Sequence, residues 1–395
     1  MSKFNRGYKF RIYPTEDQAK QLDDFINFAR YVYNWGVAKE KELHQQFKNG
    51  LTTKKFYSYF DLDKLFREEC ETNPKMSWCK KYPNATSKLP LRNLYNGYKK
   101  FFNGINFNPP SFKKKNKCKK SFNTRNDRFC IRNNSIKIEG IKTQISLNFN
   151  SGLNLNKVIN PVISKDTLGN YYVSFSLEEE SKDLEIPKTE GIGIDLGVRQ
   201  TFTLSTGEIF NQPKEKLDRL ERRRSRQESH VTRDRKRRLK KAAHTKTKYE
   251  DIPKSKRAIK RELRLNKTYR KIHNIKNTFY HTITKQIVER NPEFVCMETF
   301  SVREIERDTP YMHKKLCHIS FYDIIQKMKY KCENYNIPFI QAPREFPSTQ
   351  ICSRCGNIKK MYRNHTYKCK VCGMVEDRDI NAAINLMNYG SLIMA

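Results

Sequence analysis

The sequence has few acidic residues for its size. Its 395 residues include 42 Asp and Glu against 79 Lys and Arg, which gives a formal net charge of +37. A compact surface with that excess repels itself, so the composition favours a polyanionic partner and is unlike that of an ordinary metabolic enzyme. Nucleic acid is the first candidate partner.

Long apolar runs are also absent. No segment approaches the roughly 18 consecutive apolar residues that span a bilayer, and the first residues form no apolar signal segment. We therefore expect a cytoplasmic protein, associated with the nucleoid if its host is a prokaryote, with no membrane partner. Seven of its eleven cysteines lie singly and irregularly, which is typical of reduced thiols.

The apolar patterns predict an α+β protein of several domains. Residues 8–13 alternate apolar and basic side chains up to Pro14, which predicts a short strand. From Thr15 to about residue 104, apolar residues recur at helical spacing and predict a helical lobe. Short β-like runs in 105–187 predict a small barrel or sandwich joined by the N-terminal strand. After Pro187 the predicted order is strand, hairpin, helices, strand, helix and strand, as in a ribonuclease-H-like layer.

Two cysteine pairs near the end of the chain predict a metal site. Each pair has two intervening residues, and thirteen residues separate the pairs. This spacing lets paired thiolates hold one tetrahedral ion, and four thiolates close its coordination shell, so the predicted zinc is structural. The ligands are Cys352, Cys355, Cys369 and Cys372, while His365 in the intervening loop is treated as a surface residue.

Three carboxylates lie at the ends of predicted core elements. Asp195 interrupts an apolar strand, Glu298 ends another, and Asp379 precedes the apolar final helix. Alone, each has an ordinary interpretation, because an Asp such as Asp379 is more often a helix cap than a ligand. Together they favour a site for two Mg²⁺ ions about 4 Å apart that hydrolyses a phosphodiester.

Other chemistries lack their motifs. The glycines at 191, 193 and 197 do not match the dinucleotide-binding fingerprint, and no Walker-type phosphate loop occurs. No two histidines are separated by a single residue, so the sequence has no His-x-His pair for a transposase with a tyrosine nucleophile.

Two basic segments are candidate nucleic-acid contacts. Six lysines lie within 113–120 between Phe112 and Phe122, and 214–271 holds 25 Lys and Arg against 8 Asp and Glu in a predicted pair of long helices. The candidate contacts are Lys113, Lys114, Lys115, Lys119, Lys120, Arg222, Arg223 and Arg224.

With these residues the chain resembles the TnpB (OrfB) proteins of insertion sequences, RNA-guided DNA endonucleases considered ancestral to type V CRISPR effectors. The resemblance covers nearly the whole chain. It rests on the four cysteines and on the segments 9–14, 29–34, 98–102, 110–115, 193–197, 297–298, 347–348 and 377–383.

The resemblance implies catalytic residues, partners and a domain organisation. Asp195, Glu298 and Asp379 match the RuvC catalytic carboxylates, with Asp195 contacting both Mg²⁺ ions. The partners are a guide RNA from the transposon end and double-stranded target DNA, with a monomer expected in the ribonucleoprotein. The implied domains are a β-barrel wedge (1–14 and 105–187), a helical recognition domain (15–104), a RuvC-like nuclease (188–345 and 376–395) and a zinc ribbon (346–375).

Two alternatives remain beside RNA-guided cleavage. A strand-transfer transposase could use the same acids, but it would need a separate end-binding domain such as a helix-turn-helix, and the sequence shows no sign of one. A guide-directed repressor that does not cut would tolerate loss of the acids, and the intact set of three disfavours it.

Overall fold

The computed structural model describes residues 3–115, 118–132, 134–148, 155, 158–181, 183–249, 251–299, 319–360 and 365–395. The chain divides into two compact units, one of residues 5–179 and one of residues 1–4 with 180–395. The finer division into four domains stays a prediction. No helix of the described residues is long and apolar enough to cross a membrane.

The helical part of the first unit begins where the sequence predicted. Thr15 caps the first helix in a capping box with Gln18, because each side chain accepts a hydrogen bond from the other residue's backbone N–H. The helices pack through buried residues such as Val32, Leu62 and Leu94. They are α1 (Glu16–Lys48), α2 (Tyr59–Thr72) and α3 (Asn84–Phe102), with a 3-10 helix at Pro74–Lys81 between the last two.

The β part of the first unit is an open sheet of seven strands. The order is β2-β6-β7-β1-β5-β4-β3, so the N-terminal strand joins it as predicted. The predicted barrel is wrong for the described residues, because no ladder pairs the two edge strands β2 and β3. The strands are β1 (Lys3–Tyr13), β2 (Lys120–Asn123), β3 (Cys130–Arg132), β4 (Ser135–Lys137), β5 (Ile145–Leu147), β6 (Ile159–Lys165) and β7 (Tyr171–Glu180).

The second unit is built on a mixed sheet of five strands in the order β10-β9-β8-β11-β12. The hairpin of β8, β9 and β10 is antiparallel, whereas β8, β11 and β12 run parallel. Parallel strands end at the same edge of a sheet, so the carboxyl ends of β8 and β11 lie side by side. The strands are β8 (Ile192–Asp195), β9 (Phe202–Leu204), β10 (Ile209–Phe210), β11 (Val295–Glu298) and β12 (Phe339–Ala342).

Helices cover both faces of this sheet. One face, with Ile194 and Met297, packs in a single core with the helices that contain Tyr280 and Met328. The other face, with Cys296, packs against the last helix. The helices are α4 (Lys214–His244), α5 (Lys256–Val288), α6 (Phe321–Asn334) and α7 (Arg378–Met394), and the hairpin β13 (Thr366–Lys368) with β14 (Val375–Asp377) precedes α7.

Candidate active site and metal centre

Asp195 ends strand β8 on the face that α7 covers. Side chains alternate along a strand, so Asp195 shares its face with Gly193. A Cβ at Gly193 would lie 2.0 Å from the Ala383 carbonyl oxygen and 2.4 Å from the Met387 nitrogen. Glycine is therefore required for α7 to lie against the strand, and this close approach brings the start of the helix to Asp195.

Glu298 ends the neighbouring strand β11. The parallel register pairs Val295 with Ile192 and Met297 with Ile194. One residue further along both strands, Glu298 therefore lies beside Asp195. The side chains of Asp195 and Glu298 thus leave the sheet at one edge and on one face.

Asp379 lies in the first turn of α7, and its side chain is only 5% exposed. The helix cap is Asp377, whose Oδ1 accepts a hydrogen bond from the Asp379 N–H at 2.8 Å. The cap interpretation of Asp379 is therefore wrong, because its carboxylate does not cap the helix. Asp195 and Glu298 lie on strands of the sheet, whereas Asp379 reaches the sheet edge through the packing of α7.

The three carboxylates interact electrostatically. Burial, followed by the nearby charges of Asp379 and Glu298, raises the pKa of Asp195 to about 8, and Arg378 opposes this rise. Burial raises the pKa of Glu298 to about 7. Without a bound cation, this cluster is therefore costly to ionise.

Two arginines that the sequence analysis missed contact Asp379. Arg378 donates from Nε and Nη2 to Asp379 Oδ1 at 3.0 and 2.9 Å. Arg199, in the turn after β8, lies 2.8 Å from Asp377 Oδ2 and 3.8 Å from Asp379 Oδ2. Arg378 could have been noticed as the neighbour of Asp379, but nothing in the sequence marked Arg199.

The carboxylates fit divalent cations by their chemistry. They are hard oxygen ligands, and a cation among them would offset both the burial and the neighbouring negative charges that raise the pKa of Asp195. Their oxygens do not already surround one point, and one oxygen of Asp379 is held by Arg378. They therefore form a cluster of candidate ligands at one sheet edge.

The four predicted cysteines do surround one point. Their sulfur atoms all lie within 4.8 Å of one another, and the pairs Cys352–Cys372 and Cys355–Cys369 are each 3.6 Å apart. A tetrahedral zinc with Zn–S bonds of about 2.3 Å requires sulfurs roughly 3.8 Å apart. The donor set and its spacing therefore fit a zinc ion.

The backbone around the cysteines supports this arrangement. Gly356 and Gly373 follow the two pairs with φ of 74° and 71°, the left-handed region that glycine favours. Tyr367 is fully buried, and its hydroxyl donates to the carbonyls of Gln350 and Asn357. His365 is exposed and is not part of the cluster, as predicted.

The lysines of the first basic segment differ in exposure. Lys114, Lys115, Lys119 and Lys120 are exposed. Lys113 is half-buried, with its Nζ 3.5 Å from the centre of the Tyr33 ring, and burial lowers the pKa of its amine. Its phosphate contact stays a prediction, but the side chain already has an intramolecular partner.

The arginines of α4 differ in the same way. Arg222 and Arg223 are exposed. Arg224 instead contacts Glu221, Glu228 and Tyr269 at 2.6, 3.0 and 3.2 Å. Arg224 therefore ties α4 to α5, whereas the first two are available to a partner.

Two family models match the chain. One, described as a Cas12f1-like TNB domain, matches residues 321–386, from α6 through the cysteines to α7. The other, an OrfB model described as a helix-turn-helix domain, matches residues 1–49. Over the described part of that second segment, the structure has strand β1 and the single helix α1.

Relatives and a solved structure match almost the whole chain. A protein of Streptomyces pristinaespiralis named "Putative RNA-guided DNA endonuclease" is 26% identical over 99% of this chain and 90% of its own length. A similarly named protein of Escherichia coli is 22% identical over 99% of this chain and 93% of its own length. The structure of a Cas12f1–sgRNA–target DNA complex matches with a TM-score of 0.57 at 12% identity, over 98% of this chain and 99% of that one.

The fold of the chain resembles that of the Cas12f1 chain in this complex. The chain is related to the TnpB (OrfB) proteins, and the resemblance that the motifs predicted is confirmed.

Proposed function

We propose that the protein is an RNA-guided DNA endonuclease of the TnpB type, which cuts target DNA beside a short adjacent motif at a single RuvC site. The observation that carries the proposal is the meeting of Asp195, Glu298 and Asp379 at one edge of the mixed sheet. The full-length similarity to relatives named as RNA-guided endonucleases supports it.

The protein's own residues supply the ligands and the charge balance. Asp195, Glu298 and Asp379 would hold Mg²⁺, which when bound activates water and stabilises the leaving oxygen in phosphodiester hydrolysis. Arg378 and Arg199 lie at the same edge and keep Asp379 paired. Arg199 also lines a cavity of about 790 Å³, whose charged lining residues include Lys214 and Lys276 but also Asp218 and Glu221.

The guide RNA and the target DNA account for the excess of positive charge. Base pairing by the guide reads the target sequence, so the protein itself needs mainly backbone contacts. Exposed side chains such as Lys114, Lys119, Arg222 and Arg223 suit this role. We propose one protein chain for each ribonucleoprotein.

The four-cysteine site serves a structural role in this proposal. Four thiolates leave no open position for substrate, so a zinc ion there stabilises the ribbon and takes no part in the chemistry. Replacing Cys352 and Cys355 with serine is therefore expected to abolish zinc binding and to reduce the amount of folded, soluble protein.

The proposal is tested by coexpressing the protein with its flanking DNA and sequencing the RNA that copurifies. That RNA is then reprogrammed, and plasmid cleavage is measured with Mg²⁺ and with Mg²⁺ replaced by EDTA. We expect a defined RNA, and cleavage only of plasmids that match the guide.

The controls separate the alternatives. An Asp195→Asn protein should bind the same RNA and target without cutting. Absence of a defined RNA would contradict the guided function, target binding without cleavage by the native protein would favour a repressor, and strand joining would favour a transposase. Undiminished cleavage by Asp195→Asn would show that the site is elsewhere.

A further inference from the structure

Two asparagines on α7 attach that helix to the first cysteine pair. The Asn381 side chain accepts from the Ser353 N–H at 2.9 Å and donates to the Ile351 carbonyl at 2.7 Å. These two backbone partners flank Cys352. Asn385, one helical turn later, donates to the carbonyls of Ser348 and Ile351 at 2.8 and 2.7 Å.

These hydrogen bonds lie in the protein interior. Asn381 is fully buried and Asn385 is 3% exposed. A buried polar group that loses its partner is costly, because water cannot replace the missing hydrogen bond. The two side chains therefore fix the position of segment 348–353 against α7. A displacement of the segment is transmitted to the helix, and a displacement of the helix is transmitted to the segment.

The second cysteine pair is connected to the same helix through the chain itself. Two residues separate Cys372 from strand β14, and β14 leads directly into α7 through the cap residue Asp377. The ribbon thus holds the start of α7 from two sides, by covalent connection after Cys372 and by hydrogen bonds around Cys352. Asp379 lies between these two attachments.

We propose that Asn381 and Asn385 are positioning residues that make the placement of Asp379 depend on the four-cysteine metal site. With the four thiolates joined by a metal, segments 348–353 and 372–377 have a fixed relation to each other, and α7 presents Asp379 to the sheet edge. Loss of the metal or of the asparagine hydrogen bonds loosens the first turn of α7. This inference rests on the proposed function only where cleavage is concerned.

The test compares Asn381→Ala and Asn385→Ala with a matched control, Asn388→Ala. Asn388 lies on the same helix but is exposed. Hydrogen exchange of the first turn of α7 and zinc release to a chelator are measured on the full-length protein, and neither readout needs guide or target. Hydrogen exchange and zinc release should both be about tenfold faster in Asn381→Ala and Asn385→Ala and unchanged in Asn388→Ala. A tenfold change is typical of substitutions at residues that support metal ligands.

Cleavage by the ribonucleoprotein gives a third readout. We expect Asn381→Ala to raise the Mg²⁺ concentration for half-maximal cleavage about tenfold while RNA binding stays as in the native protein. Chelating zinc should have the same effect on the native protein and add little to Asn381→Ala, since zinc loss and the substitution both loosen the first turn of α7, which carries Asp379. A merely structural role would lower the amount of folded protein without shifting the Mg²⁺ dependence.

The outcomes remain separable. Native exchange rates and zinc release in both variants, or fully additive effects of chelation and Asn381→Ala, would overturn the inference. If Asn381→Ala does not fold, Asn385→Ser and chelation of the native protein provide the same exchange comparison. A native protein that does not cut would overturn the proposed function, and the exchange and zinc-release results would still decide the inference.

Discussion

At the scale of single residues, the acidic cluster combines a functional requirement with a cost in stability. Asp195 is 7% exposed and faces two further carboxylates. Its pKa is raised from 3.8 to about 8. The folded protein therefore holds a proton there that the unfolded chain has released at neutral pH, and this contribution to stability declines as the pH rises from about 4 to 8.

Replacing Asp195 with asparagine should remove this dependence. In EDTA, we expect the Asp195→Asn protein to unfold at a higher temperature than the native protein at pH 8, with a smaller difference at pH 5. Thermal unfolding measured across that pH range checks the prediction, with Glu190→Gln, an exposed acid in the same unit, as the control. A lower unfolding temperature for Asp195→Asn at pH 8 would show that Asp195 is stabilised as an anion.

At the scale of elements, the site depends on how closely α7 approaches the sheet. Gly193 on β8 and Gly390 on α7 mark this approach, because a Cβ at Gly390 would lie 2.2 Å from the Phe294 ring. At Gly193 the strand thus meets the helix backbone, and at Gly390 the absence of a side chain leaves room for the Phe294 ring. That close packing sets the position of Asp379 relative to Asp195.

A single methyl group should disturb this packing. We expect Gly193→Ala to lower the free energy of unfolding by about 1–3 kcal/mol, the usual cost of overpacking, and to reduce cleavage because α7 is displaced. Denaturant unfolding and plasmid cleavage measure the two effects. Gly7→Ala, which has open space around the new Cβ, is the control and should behave as the native protein.

The helical pair α4 and α5 contains arginines of two kinds. We expect replacing both Arg222 and Arg223 with alanine to weaken nucleic-acid binding and to reduce the slope of log affinity against log salt by about 0.7–0.9 for each phosphate that is no longer neutralised. Arg224→Ala should instead lower the unfolding temperature, since its partners are on α4 and α5. Salt-dependent binding assays and thermal unfolding of both variants separate the two roles. Equal effects of both variants on the salt slope would contradict the distinction.

At the scale of the whole molecule, the net charge of +37 dominates. Like charges on one chain destabilise its compact state, and salt screens them over about 8–10 Å at physiological ionic strength. The protein should therefore be more stable when its charges are screened or matched by a polyanion.

This gives opposite salt effects for the free and the bound protein. We expect the unfolding temperature of the RNA-free protein to rise from roughly 0.1 M to roughly 0.5 M NaCl as charge screening strengthens, whereas RNA binding weakens over the same range. Thermal unfolding with and without the copurified RNA measures both. Sucrose, which carries no charge, is the control, and a fall in the unfolding temperature of the free protein with salt would contradict the prediction.

The sequence alone determined several features because their signals are local. The capping box at Thr15, the helical pair in the basic segment and the strands ending at Asp195 and Glu298 follow from residue patterns within a few turns or strands. The four cysteines were equally plain, since two pairs with short spacing bring their sulfurs to one place through local turns.

Tertiary structure decided the features that depend on distant parts of the chain. The sheet of the first unit is open, because closing a barrel depends on the pairing of edge strands that no local pattern specifies. The cap of α7 is Asp377, and Asp379 reaches the sheet edge only because Gly193 admits the helix. Arg199 and the two asparagines acquire partners far away in sequence, and such interactions arise from the packing of the folded chain.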